Sequence, residues 1–162
     1  MTKPLPTTWL VGRKTRLRPI EPADVPLLRR LGSPLGSFDS RWPAIAAVDP
    51  LRPAYVVQTR AGDDVGVLAL AVAEHRARMG IRWRSSRRWL DGSAIDAIRT
   101  MTAGAFRALP IVRIETLAAS DDRAAIRAFQ RAGYKKEGTL RESFLRAGSH
   151  RDAVLLSAVH DG

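Results

Sequence analysis

Residues 82 to 93, RWRSSRRWLDGS, set four arginines (Arg82, Arg84, Arg87 and Arg88) ahead of an Asp91-Gly92-Ser93 step. Downstream, Ile95, Ile98, Met101, Ala105, Phe106 and Leu109 recur at helical intervals and stop before Pro110. Unpaired amides at a helix start, the positive end of its dipole and neighbouring guanidinium groups together make a seat for an anion. Asp91 complicates that reading, because its carboxylate brings negative charge to the seat, yet it also suits an N-cap. Two readings stand side by side: a turn that cradles a phosphorylated ligand, or a basic strand running into a helix.

These residues need elements to hold them. The stretch TRLRPI (15–20) alternates as a short strand, and EPADVPLLRRLG reads as a helix with Pro22 in its first turn and Gly32 at its end. Residues 1–13 lack periodicity and form a loose or edge-covering arm, and residues 33–53 an irregular segment. AYVVQTR (54–60), a Gly-Asp-Asp turn and VGVLALAVAE (65–74) make a hairpin whose second strand is apolar on both faces and therefore central. RMGIRWR (78–84) and VRIETLA (112–118) are further strands. SDDRAAIRAFQRAGY is a helix with Ser120 as N-cap, Asp121 and Asp122 in the first turn, and Ala125, Ala128, Phe129 and Ala132 on the buried face. KKEGTLRESFLRAG and HRDAVLLSAV close the chain as a hairpin turning at Ala147-Gly148. This order implies a single α+β domain over residues 1–162, three-layered, antiparallel early and parallel around the β-α-β unit at 78–117.

Composition narrows the partners. With 27 Lys+Arg against 16 Asp+Glu, the net charge of +11 favours anionic ligands, RNA or tRNA included. Only four of those cations are lysine, and so arginine-heavy, alanine-rich a chain also fits the codon usage of a GC-rich genome. The charge alone does not choose a function. Cysteine is absent, which removes disulfides and thiolate metal sites. His75, His150 and His160 are too scattered for a metal set. No run of about 18 apolar residues occurs, so a soluble cytoplasmic protein without membrane partners is expected.

The order of elements, the opening TRLRPIEPADVPLLRRL, the segment VRIETLAASDDRAAIRAFQRAGYKKEGTLRE and the closing GSHRDAVLLSAV resemble the GNAT superfamily of acyl-CoA-dependent N-acyltransferases. The branch that acetylates ribosomal-protein N-termini is the nearest in pattern. The resemblance implies a central mixed β-sheet, flanked by helices, in which the strands at 78–84 and 112–117 splay apart. Acetyl-CoA or another acyl-CoA would lie in that V as co-substrate. Its pantetheine would run beside Ile81, Arg82 and Trp83, and its diphosphate would sit on Arg87, Arg88, Trp89, Leu90, Asp91, Gly92 and Ser93. Asp122 and Phe129 on the last helix would complete the cofactor side. The acceptor would be a small-molecule or peptide amine, and a homodimer is the expected partner arrangement.

Several positions depart from the family pattern. Leu90 stands where the loop's first glycine belongs, and Asp91 lies beside the expected diphosphate. Asp122, Ala125 and Phe129 replace the asparagine, serine and proton-donating tyrosine of the last helix, and Arg78 replaces an acidic residue. Direct attack by an amine needs little beyond a positioned thioester and backbone donors for the oxyanion. Glu115 is the best-placed remaining base, unless it is an ordinary strand residue paired with Arg113 or Arg141. His150 titrates near neutrality, unless it is only an exposed turn residue. Trp83 and Trp89 offer flat faces for an adenine or an acceptor, or else pack the core. Phe38 and Trp42 fall where the family covers its acceptor site. The competing function is a GNAT-like fold that has lost acetyl-CoA chemistry and acts as a binding module, or that uses an RNA-borne donor or acceptor such as aminoacyl-tRNA.

Overall fold

The computed structural model describes residues 9–35 and 51–161. Phe38 and Trp42, and residues 1–8 of the arm, lie outside the described residues. The elements in chain order are β1 (Leu10–Val11), β2 (Thr15–Pro19), a 3-10 turn (Pro22–Asp24), α1 (Val25–Leu31), β3 (Ala54–Thr59), β4 (Asp64–Ala73) and β5 (Arg76–Trp83). A second 3-10 turn (Ser86–Trp89) leads into α2 (Ser93–Ala108), then β6 (Arg113–Ala119), α3 (Arg123–Arg131), β7 (Lys135–Arg146) and β8 (Ser149–Val159).

Eight described strands form one mixed sheet in the order β1-β2-β3-β4-β5-β6-β8-β7. All neighbours are antiparallel except β5 and β6, which α2 joins as a crossover. β4 is central because it is apolar on both faces. Leu68 and Leu70 pack with Ile98, Met101 and Phe129 of α2 and α3. Val67 and Ala69 pack with Leu28 of α1 on the other face. This is the three-layer α+β arrangement expected from the order of elements.

Local chemistry accounts for the boundaries. Gly32 ends α1 at φ +76°, and Ala147 and Gly148 turn the last hairpin at φ +49° and +77°. α2 ends ahead of Pro110, as its periodicity implies. One expectation here needs correction. Asp122, not Ser120, is the N-cap of α3, its carboxylate accepting from the Ala125 amide at 3.2 Å. In the loop before α2, Ser85 caps a 3-10 turn. Leu10 and Val11 pair with Leu17 and Arg16, so these arm residues cover the sheet edge.

One carboxylate ties this edge to the core helix. Asp96, in the first turn of α2, accepts from the backbone amides of Arg13, Lys14 and Thr15 at 3.0, 3.0 and 2.9 Å and from the Thr15 hydroxyl at 2.8 Å. Burial pushes its pKa up, but the Thr15 hydroxyl and the three amides outweigh it and hold the carboxyl below its usual value. With the folded value depressed, this contribution is complete above the unfolded value near pH ~4 and is lost as pH falls through the folded value. Asp96→Ala is expected to cost about 2–4 kcal/mol at pH 7, because it orphans several part-buried donors. Asp96→Asn is expected to flatten the acid limb of a urea-unfolding series. An unchanged midpoint at pH 7 in both variants would contradict the clamp.

Candidate active site in a splayed sheet

The parallel pairing of β5 with β6 is short. It covers Arg76↔Arg113, Ala77↔Ile114 and Arg78↔Glu115. Just beyond, the Thr116 hydroxyl donates to the Met79 carbonyl at 2.9 Å. Past that bond β5 continues to Trp83 without a rung to β6, while β6 stays zipped to β8 through Ala119. The two strands therefore part as a V whose apex is Arg78, Met79, Glu115 and Thr116.

The direction of the main chain shows what faces the gap. The Arg84 amide donates to Val65 of β4, so even-numbered residues of β5 turn their amides and carbonyls toward β4. Met79, Ile81 and Trp83 turn theirs toward β6 and the V. Ile81 and Trp83 are thus an open strand edge on which an extended amide-bearing chain can pair.

The two faces of the sheet differ at the apex. Ile114, Thr116 and Ala118 of β6 are buried on the α2/α3 face, so Arg113, Glu115 and Leu117 point to the α1 face. On that face Gly80 lets the chain after α1 cross β5 closely, because a Cβ would collide with the Pro34 carbonyl. Arg82 extends the same crossing by donating from Nε to the Ser33 carbonyl at 3.1 Å. Glu115 is 14% exposed, with Oε2 accepting from Arg113 at 3.1 and 3.0 Å and Oε1 meeting, among the described residues, only Arg78 at 3.4 Å. Arg113 also reaches Glu137 at 2.6 and 2.7 Å, and Glu137 accepts from the Ser157 hydroxyl. Those hydrogen bonds from Arg113 and Ser157 lower the Glu137 pKa to about 2. The Arg113 partner expected for Glu115 is present, and Arg78 joins it.

His150 is exposed in the last hairpin, opposite Leu145. Ser157, not His150, lies opposite Glu115, and seven residues of strand put His150 roughly 23 Å along β8. The structure does not bring His150 to the V. His75 is exposed in the β4–β5 turn, and His160 stacks on Phe106 with centroids 4.9 Å apart.

The α2/α3 face of the gap carries rings. Trp83 lies over Gly66, where a Cβ would come within 2.7 Å of the indole. Trp89 meets Trp83 edge-on at 5.9 Å and Phe129 at 6.3 Å, and Phe129 meets Tyr134 at 5.1 Å. Both readings of the tryptophans touch this cluster, which packs the core and also borders the V. The Trp83 indole N–H is buried and has no hydrogen-bond partner among the described residues. Tyr134, a side chain the sequence reading left aside, is turned into the core with its hydroxyl 2.8 Å from that of Thr102. Burial pushes its pKa up, against the Thr102 hydrogen bond.

At the start of α2, Gly92 is the N-cap at φ +88° and Asp91 supplies the capping carboxylate. Its Oδ1 accepts from the Ser93 amide at 2.9 Å and its Oδ2 from Arg88 at 3.0 Å, while Lys14 Nζ donates to its backbone carbonyl at 3.1 Å. Burial raises the Asp91 pKa, but the bonds from Ser93 and Arg88 prevail and hold the carboxyl below its usual value. Leu90 has φ −109°, open to any residue, and its side chain is 78% exposed. It strains nothing where the family has glycine. Arg87 is exposed beside it.

A groove of about 310 Å³ runs from this loop along α3, lined by Trp89, Leu90, Ile95 and Ala128 together with Arg123, Arg127 and Arg131. These arginines were missed as site residues, although the spacing i, i+4, i+8 in RAAIRAFQR puts them on one helix face. Among the described residues no cluster of His, Asp and Glu is arranged to hold a metal, and no helix is long and apolar enough to cross a membrane.

The fold is that of the GNAT superfamily of N-acetyltransferases. Mycobacterium smegmatis RimJ, solved with CoA-disulfide, superposes with a TM-score of 0.79 at 21% identity, over 97% of this chain and 90% of that one. Vibrio cholerae spermidine N-acetyltransferase, solved with CoA and spermine, gives 0.76 at 20% identity over 91% and 96%. In sequence, the chain is 30% identical over 95 residues to YoaA of Bacillus subtilis (strain 168), an uncharacterised N-acetyltransferase. The match covers 59% of this chain, which spans about half (53%) of that relative's length. No protein-family model matches the chain.

The apex depends on one side-chain bond. Thr116→Val is expected to destabilise the fold by about 1–2 kcal/mol, because it leaves the buried Met79 carbonyl unpaired. Thr116→Ser should restore most of that loss in thermal melts. Equal losses in both variants would assign the effect to packing instead.

Proposed function

We propose that the protein is an N-acyltransferase that moves an acetyl or other short acyl group from acyl-CoA to a primary amine. The observation that carries this reading is the loss of β5–β6 pairing after three rungs, which leaves the Ile81 and Trp83 main chain open toward the gap. The buried, unpartnered Trp83 indole N–H beside that edge suits the amide carbonyls of a pantetheine arm. The fold neighbours crystallised with CoA forms, and the N-acetyltransferase relative, favour this reading over a binding module or an RNA-borne donor.

The chemistry asks for a short list of parts. The amine nitrogen attacks the thioester carbonyl carbon, the oxygen takes negative charge, and the carbon–sulfur bond breaks as the thiolate leaves. Main-chain amides of β5 that face the V are the oxyanion donors within reach. Glu115 borders the apex from the α1 face, and Oε1, with one long contact to Arg78 among the described residues, is the oxygen available to the amine's proton. Phe129 cannot protonate the departing thiolate, and Tyr134 is turned into the core, so that proton comes from solvent.

Two measurements test the proposal. Acetyl-CoA at 100 times its dissociation constant should stabilise the fold by about 2.7 kcal/mol, seen as a rise in melting temperature. No rise at millimolar acetyl-CoA would remove the reading. In a thiol-release assay over polyamine and peptide amines, Glu115→Gln should lower kcat about 100-fold at neutral pH, the lower range for a general base. His150→Ala should leave kcat unchanged. A Glu115→Gln enzyme with full activity would show that the amine loses its proton to water.

A further inference from the structure

The donor seat at the start of α2 is partly taken. The Ser93 amide is spent on the Asp91 carboxylate, and the Leu90 and Asp91 amides both donate to the Arg87 carbonyl, at 2.9 and 3.1 Å. The Arg88 amide donates to the Ser85 carbonyl, and its guanidinium is paired with Asp91. A diphosphate arriving here meets the Asp91 carboxylate, and the Leu90, Asp91 and Ser93 amides are already hydrogen-bonded.

The opposite wall of the groove is in the reverse condition. Arg123, Arg127 and Arg131 line it, and none of their side chains is paired with a carboxylate among the described residues. For the helix alone this arrangement is unfavourable. Like charges at i and i+4 repel. Arg123 in the first turn also opposes the helix dipole, where an acid would be favoured. A polyanion lying in the groove reverses both terms. Leu90, Ile95 and Trp89 give the groove an apolar wall against which a nucleoside can lie, and about 310 Å³ falls in the range of small-ligand sites.

We propose that the phosphates of the donor are held by the Arg123, Arg127 and Arg131 guanidinium groups on α3, and that Asp91 is a built-in anion that competes with them and sets donor affinity. This rests on the acyl-CoA reading above. It moves the diphosphate's partners from backbone amides, whose position the helix fixes, to side chains, whose reach adapts. It also makes donor affinity depend on charge near the loop more than on loop backbone geometry.

The test is calorimetric titration of the full chain with CoA and, separately, with pantetheine, which has no phosphate. Arg123→Gln/Arg127→Gln should weaken CoA about 10- to 100-fold, the loss expected for charge-assisted hydrogen bonds, and leave pantetheine unchanged. Arg127→Lys should recover part of the loss. Asp91→Asn retains an oxygen for the Ser93 amide while removing the charge, and should tighten CoA several-fold without altering pantetheine. All three altered side chains, Arg123, Arg127 and Asp91, are exposed, and melting curves of the free variants report whether the fold is intact. If the double variant binds CoA as the parent does, or if Asp91→Asn binds it no tighter, the inference is wrong while the acyl-CoA reading stands. If the parent protein itself binds neither CoA nor pantetheine, both fall together.

Discussion

The three-rung pairing of β5 with β6 governs everything above it. A parallel pair continues only while both strands can offer amides and carbonyls to each other, and here each has another commitment. β6 is zipped to β8 through seven register pairs, from Arg113 to Ala119. β5 is zipped to β4 through eight, from Arg76 to Trp83. The sheet therefore behaves as two ribbons joined at one end, and the Thr116–Met79 bond marks the last point of contact. Glu115 and Arg78 owe their closeness to that joint, since they are its final rung.

Electrostatics divides the molecule by face. On the α1 side, Arg78, Glu115, Arg113, Glu137 and Ser157 form a chain of alternating charge across β5, β6, β8 and β7. Each of the two carboxylates is held by guanidinium, so the charges of this chain balance. On the α2/α3 side the acids near the gap, Asp91 and Asp122, are used as helix caps. That consumption leaves the arginines of α3 as its surplus. The excess of +11 over the whole chain is thus not spread evenly, and part of it lines a groove.

Much of this was legible in the sequence. The alternation of VGVLALAVAE and its lack of a polar face placed β4 at the centre, and Pro110 and Gly32 punctuated the helices where the structure ends them. The family pattern supplied the splay, which no local periodicity carries, because strand divergence is set by partners far apart in the chain. Errors fell where competing local bonds decide. Ser120, Asp121 and Asp122 are all good caps, and only the backbone path shows that Asp122 is used. Asp91 was weighed as a cap or a repelling charge, and the structure shows the cap, its carboxylate accepting from the Ser93 amide. The arginines of α3 were visible at helical spacing but had no meaning until the groove against Trp89 and Leu90 was known.

The aromatic cluster is where stability and access to the gap meet. Trp83 is pressed over Gly66 on one ribbon, Phe129 belongs to α3 above the other, and Trp89 bridges them from the loop between β5 and α2. A gap between diverging strands would otherwise leave main-chain edges and apolar side chains facing water, and these rings cover it. Each ring pair is worth about 0.5–1.5 kcal/mol beyond its buried area, so the two contacts of Trp89 add about 1–3 kcal/mol to the apolar burial of the cluster. The loop that carries Trp89 also carries Asp91. The same short segment therefore holds both the ring that packs against Phe129 and the carboxylate that caps α2.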